Sequence, residues 1–221
     1  MGTGNSKTAF RGTALPLGPG RPGRRERRRA ETREKIFRAA LRLFAEHGFH
    51  AVTVEDITEA ADVGKGTFFN YFPSKEHVLM TLGDIQVGKI EQGLAAARSG
   101  ALPLRRLLEE FPRIMAEEPG RSPLVMRGLL GALLTSAPVR AMFLEKVAAG
   151  RKMLAELLAL GQRRGEVRRD VPAAELARVV QQSFFGAMLM WSLDPSGKLA
   201  RRFEKELDLL WSGMRARAKH S

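Results

Sequence analysis

The sequence predicts an all-α protein: an N-terminal three-helix helix-turn-helix unit followed by a larger helical domain. Three observations lead there. Apolar residues recur at three- and four-residue spacing along most of the chain, and no alternating strand-type run stands out. The segments between prolines are rich in Leu, Ala, Met, Glu and Arg, which lose little on entering a helix. The 221 residues, 44% of them hydrophobic, are ample for a buried core in one large or two small domains.

Residues 1–30 are expected to be a disordered basic tail. They are rich in Gly, Pro, Ser, Thr and Arg, and cannot bury enough surface to offset the entropy of ordering. A helical period starts near Thr32, where Ile36, Ala39, Ala40, Leu43 and Phe44 share one face, and Gly48 is its expected C-terminal cap. Thr53 and Asp56 form a capping box for a second helix with Val54, Ile57, Ala60 and Ala61 inside. Val63 and Gly64 make a turn, and Phe68, Tyr71 and Phe72 give the third helix its inner side, with an outward Tyr71 left open. Pro73-Ser74 ends that helix, and Ser74 caps a long fourth carrying Val78, Leu82, Ile85 and Ile90.

Further along, Pro103, Pro112, Pro119, Pro123, Pro138, Pro172 and Pro195 punctuate a run of helical segments. Pro112 is expected to kink or split its helix, since it lacks an N–H and crowds the preceding turn. The last two segments carry the clearest stripes. Leu176, Val179, Val180, Ser183, Phe184, Ala187, Met190 and Trp191 hold one, and Phe203, Leu207, Leu210, Trp211 and Met214 hold the other. The expected division is a tail over 1–30, a helix-turn-helix domain over 31–77, and a helical domain over 78–221.

Net charge is +13, unevenly spread. Residues 1–30 hold eight Lys/Arg against one Glu, whereas residues 31–80 hold six against eight acidic residues. Such a tail attracts any polyanion and does not by itself choose among them. The absence of cysteine excludes disulfides and thiol chemistry and fits a reducing compartment. No apolar stretch is long enough for a membrane span and no secretory leader is visible, so a cytoplasmic protein is expected.

The segment Lys65-Gly-Thr-Phe-Phe-Asn-Tyr71 carries the recognition chemistry. A major groove about 12 Å wide admits one helix, whose N-terminal side chains reach base edges. Gly66 would allow close backbone approach, Thr67 suits a phosphate or thymine, Asn70 can pair with adenine, and Lys65 reaches guanine or phosphate. Tyr71, Lys75 and Thr53 suit phosphates, and Arg33 and Phe69 join the expected contact set. Arg24, Arg25, Arg27, Arg28 and Arg29 either act as a flexible arm entering a minor groove or form a solvated, solubilising tail.

From Thr32 to about Leu82 the chain resembles the tetracycline-repressor (TetR/AcrR) family of transcription regulators. The resemblance is carried by Thr32–Phe49, Thr53–Ala61 and Val63–Glu76, with Asp62 for the family's usual Gly, Gly64 for its Ser and Phe69 for its Tyr. The second change removes a side-chain cap and the third a hydroxyl. The resemblance implies a homodimer on a palindromic operator, C-terminal helices that bind a small-molecule effector, and a fourth helix that relays the signal. On pattern alone the two terminal stripes are equally core or interface. The resemblance favours a four-helix interface formed by Val180, Phe184, Ala187 and Trp191 with Phe203, Leu207, Leu210 and Trp211.

Expected effector contacts are Phe111, Met115, Met126, Leu130 and Leu133, then Met142, Phe143, Gln181, Phe184 and Met188. Gln86, Gln182, Thr135 and Ser183 could add hydrogen bonds, which suits an apolar or weakly polar effector. No cofactor, metal or enzymatic activity is expected, since His47 and His50 lack a metal-site frame and no nucleophile elbow or nucleotide loop is present. The rival readings are a ligand-independent DNA-binding activator or architectural protein, and an enzyme built on a helical bundle.

Overall fold

The computed structural model describes residues 23–100, 104–117, 120 and 122–216. Among these residues the chain forms helices α1 (Arg24–His47), α2 (Val54–Ala60), α3 (Lys65–Phe69), α4 (Lys75–Arg98), α5 (Leu104–Ala116), α6 (Pro123–Thr135), α7 (Ala137–Arg163), α8 (Ala173–Leu193) and α9 (Leu199–Met214). There are no strands among the described residues beyond one isolated bridge between Val167 and Arg215.

Local signals set most boundaries. The Thr53 and Asp56 box closes as expected: Thr53 N–H donates to Asp56 Oδ2 at 2.8 Å, and Asp56 N–H donates to Thr53 Oγ1 at 3.1 Å. Gly48 ends α1 at φ +81°, with its N–H on the Phe44 carbonyl. Ser74 holds the N-cap position of α4, but its hydroxyl lies 3.0 Å from His77 Nδ1 and makes no bond to the helix backbone. Pro123 and Pro138 sit in the first turns of α6 and α7, where a missing N–H costs nothing. Ser136 ends α6 and caps α7, and the two helices turn through 111° there.

Two expectations are corrected. Helix α1 begins at Arg24, two turns before Thr32, so the cluster Arg24–Arg29 is helical and not part of a disordered tail. Glu26 accepts the Gly23 N–H at 2.9 Å, and Arg and Ala favour helix, so these turns form without an apolar face. The expectation of disorder for residues 1–22 lies outside the described residues. Of the kink or split expected at Pro112, the split does not occur: α5 runs through it with the ring buried. One helical hydrogen bond to Leu108 is lost there, and burial of Leu108, Phe111 and Pro112 together offsets it.

The apolar core is built in two connected parts. One joins Ile36, Phe37, Phe44, Ile57, Phe68 and Phe72 of the first three helices to Val78, Leu79 and Leu82 of α4, and continues through Met126, Leu129, Trp191 and Phe203. The other lies between the far ends of α4, α5, α7, α8 and α9, around Leu94, Leu108, Leu157, Leu158 and Leu207. The boundary expected at residue 77 therefore falls inside continuous packing. Helix α1 rests directly on α6, and α4 lies along α7.

Candidate nucleic-acid interface and ligand cavity

Helices α2 and α3 meet at a turn through Asp62, whose φ of +46° is left-handed. That backbone is easiest for glycine and tolerable for Asp, which accounts for the Asp62 substitution being accommodated. Lys65, at the start of α3, pairs with Glu55 of α2, and this lysine holds the Glu55 carboxyl below its ordinary range. Phe68 points inward and is fully buried, so Lys65, Gly66, Phe69 and Asn70 face outward. Phe69 is 53% exposed, and its ring stands edge-on to Phe68. A side chain at Gly66 would meet nothing within 4 Å, so no internal packing demands this glycine. Thr67 and Tyr71 are half-buried.

Helix α1 runs beside this surface. The Arg29 guanidinium lies over the Tyr71 ring at 5.9 Å, and Arg33 lies over Phe72 at 5.1 Å while donating to Thr81 Oγ1 at 3.4 Å. Arg24, Arg25, Arg27, Arg28 and Arg29 are all exposed. They form a helical basic edge whose Arg29 end reaches Tyr71, just past α3. The arm expected here is helical, so any entry into a minor groove would be by these side chains and not by an extended backbone.

Lys75 and Thr53 are also committed within the chain. Lys75 Nζ donates to the carbonyls of Phe49, Val52 and His50 at 2.9, 2.7 and 3.4 Å, and sits over the Phe49 ring. All three ammonium hydrogens are thereby used, and Lys75 clamps the α1–α2 loop in place of reaching a phosphate. Thr53 Oγ1 both accepts from the Asp56 N–H and donates to Asp56 Oδ2. The Thr53 backbone N–H, and after it the Thr53 hydroxyl, both donate to Asp56 Oδ2 and hold that carboxyl below its ordinary range.

The second region is a partly open cavity of about 130 Å³ lined by residues of α4 to α9. Of the expected effector contacts, Phe111, Met115, Met126, Phe143, Gln181, Phe184 and Met188 line it. Leu130, Leu133 and Met142 do not; Leu133 and Met142 pack against the first core, and the wall position on α6 is Leu129. The miss is one of helix phase, since Leu129 and Leu130 are adjacent and only packing says which faces inward. Helix α4 supplies a wall through Leu82, Gln86 and Ile90; Gln86 is among the hydrogen-bonding contacts expected from sequence, while Leu82 and Ile90 read there only as an apolar stripe. Gln181 Nε2 donates to the Val147 carbonyl at 2.8 Å, and Lys146 at the rim pairs with Asp84 at 2.7 Å, which raises the lysine above its ordinary range.

The terminal stripes are corrected. Val180, Ala187, Trp191, Phe203 and Leu207 are buried within the single chain, and Trp191 Nε1–H donates to the Gly197 carbonyl at 3.0 Å. Phe184 packs between Phe111, tilted at 55°, and Phe203, edge-on, while Leu210 and Trp211 pack on the second core. Five of the eight expected interface residues are thus taken by the chain's own interior, and Phe184, Leu210 and Trp211 are half-buried. The apolar residues left outside are Val179, Leu189, Met190 and Leu193 on α8 and Leu209 on α9, the last 74% exposed. Among the described residues no group of three His, Cys, Asp or Glu could hold a metal, and no single helix is long and apolar enough to cross a membrane.

Residues 36–80 match the family model of bacterial regulatory proteins, tetR family. The transcriptional repressor KstR of Rhodococcus jostii is 30% identical over 191 residues, covering 81% of this chain and 82% of that protein. The chain belongs to the TetR family. The regulator TcmR of Streptomyces glaucescens is 32% identical over a stretch covering 53% of this chain and 65% of TcmR. Among solved structures, the Thermus thermophilus repressor FadR in complex with lauroyl-CoA superposes with a TM-score of 0.61 at 33% identity, covering 86% of this chain and 98% of FadR. The all-α architecture of a TetR-family regulator is thus shared along nearly the whole of a relative.

Proposed function

We propose that this TetR-family chain is a homodimeric repressor that leaves a palindromic operator when a small apolar effector enters its cavity. The observation that carries this reading is the double role of the cavity walls. Helix α4 lines the cavity through Leu82 and Gln86, and its first turns, with Val78 and Leu79, belong to the core of the helix-turn-helix unit. Helix α6 lines it through Met126 and Leu129, and packs on α1 so closely that a side chain at Gly128 would lie 3.0 Å from the Phe44 carbonyl. His50 in the α1–α2 loop is also 2.5 Å from Thr135 at the end of α6. A ligand that swells the cavity moves both walls and with them the reading helix. It can shift the equilibrium only by its differential affinity for the two arrangements.

At the DNA, α3 enters a major groove with Lys65, Thr67 and Asn70 at base edges and Gly66 at closest approach. Lys65 exchanges Glu55 for the operator. Tyr71, Arg33, Arg28 and Arg29 hold phosphates and set the register, while Phe69 offers an apolar contact to a thymine methyl. Two copies join through the outward faces of α8 and α9, around Met190, Leu193 and Leu209. A closed two-fold dimer then sets its two reading helices about 34–36 Å apart, one helical turn of DNA. A ligand-independent role would call for a filled C-terminal core, and the cavity argues against it.

The deciding experiment is selection of bound sequences from a random duplex pool with the purified full chain. An enriched palindrome with half-sites one turn apart supports the reading. Enrichment that follows charge alone, with no motif, sinks it.

A further inference from the structure

Gln86 stands in the α4 wall of the cavity, and both polar atoms of its side chain, Nε2 and Oε1, are buried without a hydrogen-bond partner. No other buried side-chain nitrogen or oxygen among the described residues is left so. A buried amide without partners costs folding stability, and natural chains keep one where something else completes it. The rest of the wall offers no competitor. Phe111, Phe143, Phe184 and Phe185 are apolar, and Gln181 is tied to the Val147 carbonyl at 2.8 Å. Lys146, the cation on this wall, is matched by Asp84 at 2.7 Å. Among fully buried atoms the unmet demand is therefore one donor nitrogen and one acceptor oxygen on the same amide, and the cation on this wall is matched.

We propose that the effector is a neutral molecule with a compact apolar body and one group that both donates and accepts a hydrogen bond, pairing with Gln86. A primary amide meets the requirement best, because two amides can close a pair of antiparallel N–H to O bonds. The body is about one ring in size: an apolar cavity of about 150 Å³ takes up one benzene, and this cavity is about 130 Å³. A carboxylate is disfavoured, since it would surrender its water to meet Gln86 with no free cation beside it. This inference rests on the effector reading above and adds the head group to it.

The test is isothermal titration of the full chain with benzamide, toluene and benzoate, repeated on Gln86→Met, which keeps length and removes both polar atoms. The expected result is benzamide binding about tenfold more tightly than toluene or benzoate in the native chain, as one neutral hydrogen-bond pair allows. Gln86→Met should erase that preference, leave toluene bound at least as well, and melt no lower than the native chain without ligand. Equal binding of benzamide and toluene by the native chain would overturn the Gln86 assignment and leave the cavity reading standing. Tightest binding of benzoate would overturn it in the same way. Failure of all three probes to bind would remove the effector reading itself, and this inference with it. The comparison among probes on the native chain decides the matter even if the variant does not fold.

Discussion

Individual residues divide by the sequence distance to their partners. Thr53 and Asp56 are three apart, and their box was legible because everything it needs is local. It also has a pH signature. The folded Asp56 carboxyl sits below its ordinary range through the Thr53 N–H and hydroxyl. Its contribution is therefore fully present above the unfolded value near pH 4, and is lost as pH falls through the lower folded value. Melting curves of the native chain and Asp56→Ala should differ at pH 6 and converge toward pH 2. Lys75, by contrast, reaches carbonyls 23 to 26 residues away, and nothing in its neighbourhood announces them. Lys75→Met should lose about 1–3 kcal/mol of stability by thermal melting, because the part-buried Phe49 and Val52 carbonyls lose their donor. A phosphate-contact role alone would leave the melting temperature unchanged. Asp62 sits at φ +46°, so Asp62→Ala should cost about 1 kcal/mol in denaturant unfolding while Asp62→Gly does not.

At the scale of elements, helices were legible where they face a core and obscure where they do not. Helix α1 was visible from Thr32 because Ile36, Ala39, Ala40 and Phe44 make a buried stripe, whereas its first turns are exposed and leave no period to read. Gly23 followed by Glu26 was the signal that would have found the earlier start. The basic edge on these turns makes a quantitative forecast. Each of Arg28→Ala and Arg29→Ala should reduce the slope of log affinity against log salt by about 0.9 if that residue holds a phosphate. Salt titration of operator binding would show it, and an unchanged slope would remove that residue from the interface. Where α7 meets α5, a methyl group at Gly161 would run into Leu104 and into Val167 Cγ2 at 2.8 Å. Gly161→Ala should destabilise the fold by about 1–3 kcal/mol, seen as a lower denaturant midpoint with an unchanged slope.

At the scale of the whole molecule, the proposed dimer needs a surface for its second copy. Most of the α8 and α9 stripes is used within one chain, so the most exposed apolar candidates on these two helices are Met190, Leu193 and Leu209, exposed by 56, 62 and 74%. Replacing Leu209 and Met190 with Glu should convert the sedimenting species to one of 24.4 kDa while far-UV circular dichroism stays helical. A variant that still sediments as a dimer would place the interface elsewhere. Loss of dimer should also weaken operator binding more than loss of any single base contact, because the two reading helices would no longer bind as a unit.

The sequence by itself determined the all-α class, the helix-turn-helix, most caps and the family, because each depends on residues within a few turns of one another. Tertiary structure alone decided which face of α8 and α9 is interior, that Leu129 and not Leu130 meets the cavity, and that Lys75 is a clamp. It also revealed that Gln86 is left without a partner. Periodicity states that a helix has an apolar side but not what lies against it, and that depends on contacts between residues far apart in the chain.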